Sequence, residues 1–133
     1  MHTDSSTLSR RPAVYMTRSD FDHLSPRADA LGHTAVGQSL QAELARAILA
    51  PDRSTRAFVR LGSTVLYEDL ASGVVRQLML CLPEDASLDD MRLSVLTPAG
   101  AALIGATPGQ VLDYVAGGGQ SRRLRVLEVR NGC

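Results

Sequence analysis

The chain of 133 residues has no lysine and no tryptophan; its 14 basic residues are all arginine, balanced by 14 acidic ones to a net charge of zero. A nucleic-acid-binding domain usually carries a net positive face, so this balance argues against direct nucleic-acid recognition, and the missing lysine reads as composition bias. Cysteine is nearly absent. Cys81 lies in an apolar stretch and Cys133 at the end, which is neither a disulfide framework nor a zinc ligand set; the first reads as a small core residue, the second as an exposed thiol. His2, His23 and His33 have no ligand spacing with one another or with cysteine, so no metal site is expected. Long hydrophobic runs are missing too, since Val111 to Ala116 and Leu78 to Leu82 are far too short to span a bilayer. The opening MHTDSSTLSRRP contains Asp4 and lacks an apolar segment, so residues 1–13 read as a flexible tail and not as a secretory signal, and a cytoplasmic location is the default expectation.

What is present points to one α+β domain with a helical appendage. Hydrophobic residues make up 44% of the chain, ordinary for a protein with a core. Thr17 and Asp20 are spaced like a capping box, with Asp in the place of Glu. Phe21, Leu24, Ala28 and Leu31 then recur at helical spacing, and Gly32 closes the segment. Pro26 interrupts that pattern, leaving one kinked helix or two abutting short ones. A second helix is expected over Ala35 to Ala50, with Val36, Leu40, Leu44, Ala47 and Ile48 on one face and Pro51 as its stop. The tight link at Gly32 to Thr34 makes the two an antiparallel hairpin over 14–52, about 20 Å long.

From Arg56 the period changes to that of strands: Phe58 to Leu61, Ser63 to Asp69 and Val74 to Leu82, the last two flanking a turn at Ala71 to Gly73. Pro83 to Met91 is an acidic loop that reads as solvated. Leu93 to Leu96 starts a third strand of the sheet. Thr97 then caps a helix whose first residue is Pro98, and Gly105 ends it with a left-handed residue. Pro108 and Gly109 suit the centre of a type II turn. Val111 to Ala116 and Arg122 to Val129 form a closing hairpin around GGGQS, a turn and not a phosphate loop, because a strand follows it where a phosphate loop has a helix. The domain over 56–131 is therefore a mainly antiparallel sheet with one short helix across it.

The strings LGSTVLYEDLASGVVRQLMLCLPEDA and LSVLTPAGAALIGATPGQVLDYVAGGGQSRRLRVLEV resemble the C-terminal domain of the Gre transcript-cleavage factors. The matching features are the G-S-x-V opening of the sheet, the D-L-x-x-G hairpin, the S-V-L-x-P-x-G-x-A-L-x-G segment, the P-G turn and the final R-V-L-E-V strand. The whole chain is similar to their short relatives, the regulator of nucleoside diphosphate kinase family. The resemblance implies an FKBP-like fold for the sheet domain and binding to bacterial RNA polymerase, on its largest subunit, near the mouth of the secondary channel. It implies a docking surface that includes Thr97, Pro98, Ala99 and Gly100, residues whose capping chemistry alone also accounts for them.

Cleaving members of that family carry two acidic side chains on a long coiled coil to the polymerase active site. Here the tip reads ADALGHTAVG, with Asp29 its one carboxylate and His33 beside it, and a hairpin of about 20 Å is short for that reach. The expectation is a monomeric, non-enzymatic regulator without cofactor, metal or cleavage activity. Alternatives are a general protein-interaction module and a weak cleavage factor. Prolyl isomerisation, the activity suggested by an FKBP-like fold, needs a deep aromatic pocket, and two Phe and three Tyr furnish it poorly.

Overall fold

The computed structural model describes residues 14–52, 54–116 and 118–131. The tail expected over 1–13, the Cys133 thiol and Gly117 of the GGGQS turn lie outside the described residues.

Strand β1 (Val14–Thr17) leads directly into helix α1 (Arg18–Ala30), and a four-residue link leads into helix α2 (Ala35–Arg46). Helix α1 starts where the sequence indicates: Thr17 keeps an extended backbone, and its side chain accepts from the Asp20 amide at 3.0 Å. The second half of the expected capping box does not form, because the Asp20 carboxylate accepts instead from the Leu61 amide at 2.9 Å. Pro26 sits inside one continuous helix. Leu31, not Gly32, caps its end, and Gly32 is absent from the positive-φ positions, so the link turns without a left-handed glycine.

The second helix is shorter than its apolar pattern suggests. It ends at Arg46, and Ala47–Ala50 is strand β2, paired in parallel with β1 in the register Val14↔Ala47 to Thr17↔Ala50. Pro51 disfavours helical backbone at the residue before it, and β1 offers a hydrogen-bonding edge that propensity cannot register. The expected strand Phe58 to Leu61 is irregular. Its Val59 bonds to Ala106 O and Gly105 N, and the Arg60 amide donates to the Ser63 hydroxyl before the chain turns at Gly62.

The main sheet has the order β5-β4-β3-β7-β6, built from β3 (Ser63–Asp69), β4 (Val75–Cys81), β5 (Arg92–Ser94), β6 (Val111–Val115) and β7 (Ser121–Asn131). Its pairings are antiparallel except for β4 with β5, which is parallel. Cys81 is buried at the end of β4, as its apolar neighbours indicate, and burial pushes its thiol above the ordinary range. Short helix α3 (Pro98–Leu103) connects β5 to β6.

One hydrophobic cluster unites all of these parts. Met16, Leu24, Ala28 and Leu40 from the N-terminal segment join Val59, Leu80, Val95, Leu103 and Val126 from the sheet domain. A fully buried Leu or Met side chain contributes about 1.5–3 kcal/mol, so the helix pair is held on the sheet domain by its own apolar seam. Arg27 adds an ion pair to Glu84 at 3.0 Å, between the end of α1 and the turn Pro83–Asp85. That pair is partly exposed and stabilises by at most about 1 kcal/mol.

Candidate docking surface

The residues from Ser94 to Gly100 show how sequence becomes surface. As β5 ends, Ser94 O accepts from both the amide and the hydroxyl of Thr97, at 3.2 and 2.8 Å, closing a tight turn. Thr97 Oγ1 in turn accepts from the Gly100 amide at 3.1 Å, satisfying a donor that the start of a helix leaves free. Pro98 occupies the first helical position, where its missing N–H costs nothing. Thr97, Pro98 and Ala99 are half-exposed, whereas Gly100 is buried.

Gly100 is in the chain for closeness of approach. A Cβ built on it lies 2.1 Å from Ser94 O and 2.8 Å from the Val95 Cα, both backbone atoms. Gly105 ends the helix at φ +79, as expected of a left-handed stop, and a Cβ there would press on Val14 and Tyr15 of β1. Two glycines thus let α3 lie against both β5 and β1, which fixes the attitude of Pro98 and Ala99 between them.

Pro98, with Ala99 beside it on the sheet side, forms a ridge between two open grooves. On one side a groove of about 510 Å3 runs between Pro98, Ala101 and Ala102 and the small residues Ala35, Ser39 and Ala42 of α2. On the other, a groove of about 370 Å3 separates Pro98 and Ala99 from Tyr67, Arg76, Tyr114 and Arg122 of the sheet. Sequence spacing alone does not bring these four side chains together. For the two tyrosines a signal was there in the period of two: Val65 and Tyr67, and Leu112 and Tyr114, share the inward face of their strands.

Burial holds the Tyr67 phenol above its ordinary value, with Tyr114 adding to the shift. Asp69, at the rim of the same groove, is shifted the other way. Its Oδ1 accepts from the amides of Ala71 and Ser72 at 2.9 and 3.3 Å, and its Oδ2 faces Arg122 at 3.4 Å, so its carboxyl is held below the ordinary range.

The tip residues are placed differently. Asp29 and His33 are both exposed around the link between α1 and α2. Asp29 Oδ1 lies 3.4 Å from the Gln41 amide nitrogen of α2, a contact that ties the end of one helix to the side of the next. The helix that follows the tip lines the first groove from Ala35 onward, so the tip borders the surface that carries Pro98, although neither Asp29 nor His33 lines that groove.

Comparison with known proteins agrees with this architecture. The family profile described as "Transcription elongation factor, GreA/GreB, C-term" matches residues 54–131. A curated relative, "Regulator of nucleoside diphosphate kinase" from Escherichia coli (strain K12), is 34% identical over 95 residues, covering 71% of this chain and 70% of the relative. "Transcription elongation factor GreA" from Syntrophobacter fumaroxidans is 34% identical over 84 residues, of which this chain spans about half the length, 53%. Among solved structures, "Prokaryotic transcription elongation factor GreA/GreB from Nitrosomonas europaea" superposes with a TM-score of 0.73 at 28% identity, covering 90% of this chain and 99% of that one. With the profile matching more than half of its length, the chain belongs to the GreA/GreB family of transcription elongation factors.

Proposed function

We propose that the protein is a non-enzymatic regulator that binds bacterial RNA polymerase on its largest subunit, near the secondary channel, and does not cleave transcripts. In this reading the helix pair is a short antiparallel hairpin, and the sheet domain, FKBP-like in kind, is the docking module that acts as a monomer in the cytoplasm.

The observation that carries the reading is the placement of Pro98 and Ala99. They stand half-exposed on a ridge whose geometry is over-determined from beneath by the Thr97 cap and the buried Gly100. A rigid ridge between two grooves loses little conformational freedom when a partner covers it.

Cleavage is disfavoured on two counts. The one carboxylate of the tip, Asp29, is a single acid facing Gln41, not the pair that would help hold a catalytic metal. The helix pair is also laid on the sheet domain through Leu24, Ala28 and Leu40, which are fully buried, instead of extending away from it.

Co-purification with RNA polymerase tests the reading. Retention of the folded protein at micromolar concentration is expected, with Ala99→Arg reducing it because a long side chain on the ridge blocks close approach. No retention of the folded wild type refutes it. In arrested transcription complexes the protein is expected to leave the RNA length unchanged.

A further inference from the structure

The groove on the sheet side of Pro98 has a chemistry that the docking reading does not use. The strand register places Tyr67 directly opposite Arg76 on β3 and β4, and Tyr114 directly opposite Arg122 on β6 and β7. Two Tyr–Arg cross-strand pairs therefore border one groove, with Leu93, Ala99 and Leu124 as apolar lining.

The hydrogen-bond inventory of that groove is lopsided. Neither tyrosine hydroxyl, and no nitrogen of the Arg76 guanidinium, has a hydrogen-bond or ion-pair partner among the described residues. Arg122 is engaged by Asp69 and Gln120 at 3.4 and 3.5 Å, both at the long limit of a hydrogen bond. Asp69 is already supplied by two backbone amides besides Arg122. What is left over is one uncompensated cation, two phenolic donors and an apolar floor.

We infer that this groove receives an extended segment of the partner protein that presents an Asp or Glu carboxylate beside an apolar side chain. The carboxylate meets Arg76 and a tyrosine hydroxyl, a charge-assisted pairing suited to the guanidinium fork, and the apolar neighbour packs on Leu93 and Ala99. A single carboxylate matches one uncompensated cation; a phosphate group, with its higher charge, leaves an excess of negative charge there. The inference deepens the docking reading and rests on it only for the identity of the partner.

The test uses the full chain and two capped peptides, one alternating leucine with glutamate and the other alternating leucine with glutamine, followed by NMR. The glutamate peptide is expected to move the ring resonances of Tyr67 and Tyr114 and to bind about fivefold more tightly than the glutamine peptide, the scale of one exposed ion pair. Arg76→Gln, at an exposed position that unfolds nothing, is expected to erase that preference, and Tyr67→Phe to reduce it while keeping the ring's packing. Equal binding of the two peptides, rings that do not move, or an Arg76→Gln variant that keeps the preference overturns the inference. Inorganic diphosphate that moves the same rings at lower concentration than the peptide overturns it in favour of a phosphate ligand. Polymerase binding is measured separately: its absence refutes the docking reading, whereas polymerase binding together with a failed peptide test removes the groove chemistry alone.

Discussion

Gly100→Ala tests whether the Pro98 ridge is shaped from beneath. In an unobstructed helix the substitution is favourable, because alanine has the higher helix propensity by about 0.8–1 kcal/mol. Here the added methyl would lie 2.1 Å from Ser94 O and 2.8 Å from the Val95 Cα. Neither atom belongs to a side chain that can rotate away, so α3 must shift off β5. Overpacking of this kind costs about 1–3 kcal/mol, and displacing the Thr97 cap, whose acceptor serves Gly100 N itself, adds about 1 kcal/mol. The cost exceeds the propensity gain, and a net loss of about 1–3 kcal/mol is expected, equivalent to a melting temperature lower by roughly 4–10 °C for a domain of this size. Urea denaturation reads it directly. Pro98→Ala is the control: it removes no hydrogen bond and leaves the cap intact, so stability is expected to fall by less than about 1 kcal/mol. A Gly100→Ala protein as stable as the wild type would refute the close contact and with it the claim that the ridge is rigidly held.

Asp20 offers a pH test. Burial raises its carboxyl above the ordinary value of 3.8, so the folded protein binds that proton more tightly than the unfolded chain. Its contribution to stability is present in full below about 3.8 and is lost as pH rises through the folded value. Asp20→Asn keeps an acceptor for the Leu61 amide and is expected to match or exceed wild-type stability at pH 7, with the difference between the two shrinking in acid. Asp20→Ala leaves that amide unpaired and is expected to lose about 1–3 kcal/mol at pH 7, and equal stability of the Asn and Ala variants by urea titration would contradict this account. Leu40→Ala, in the core shared by helices and sheet, is expected to cost about 2–5 kcal/mol and to lower helix and sheet signals in one transition; separate transitions would show two independent units. Asp29→Ala is expected to change neither stability beyond about 0.5 kcal/mol nor RNA length in arrested complexes, and any RNA shortening that depends on Asp29 would overturn the non-cleaving reading.

The features legible in the sequence were those whose causes lie within a few residues. Thr97 with Pro98, the left-handed Gly105 and the Gly109 turn are local chemistry, and each stands where it was read. What was illegible depends on partners far along the chain. Ala47–Ala50 continues a helical apolar pattern and becomes a strand because β1, more than thirty residues earlier, supplies the edge. Asp20 has the spacing of a capping box, yet its carboxylate is drawn to Leu61, forty-one positions away. Each Tyr–Arg pair lies within one local hairpin, but that the two pairs border one groove depends on hairpins far apart along the chain. Gly100 was placed with the docking residues because it shares their motif. Burial separates it from them, and burial is a property of the fold around it.

The shared core also bears on how such a protein can act. Lifting the helix pair away from the sheet domain would expose parts of Met16, Leu24 and Leu40, which are fully buried. At about 1.5–3 kcal/mol for each fully buried side chain of this kind, even partial exposure of three of them consumes much of a domain's net stability of about 5–15 kcal/mol. The link residues, the wall of α2 and the Pro98 ridge therefore move as one body, and the groove between α2 and α3 keeps its shape when a partner arrives. In the proposed docking reading the surface offered to a partner is set by two glycine contacts, one threonine cap and a proline that presents no donor.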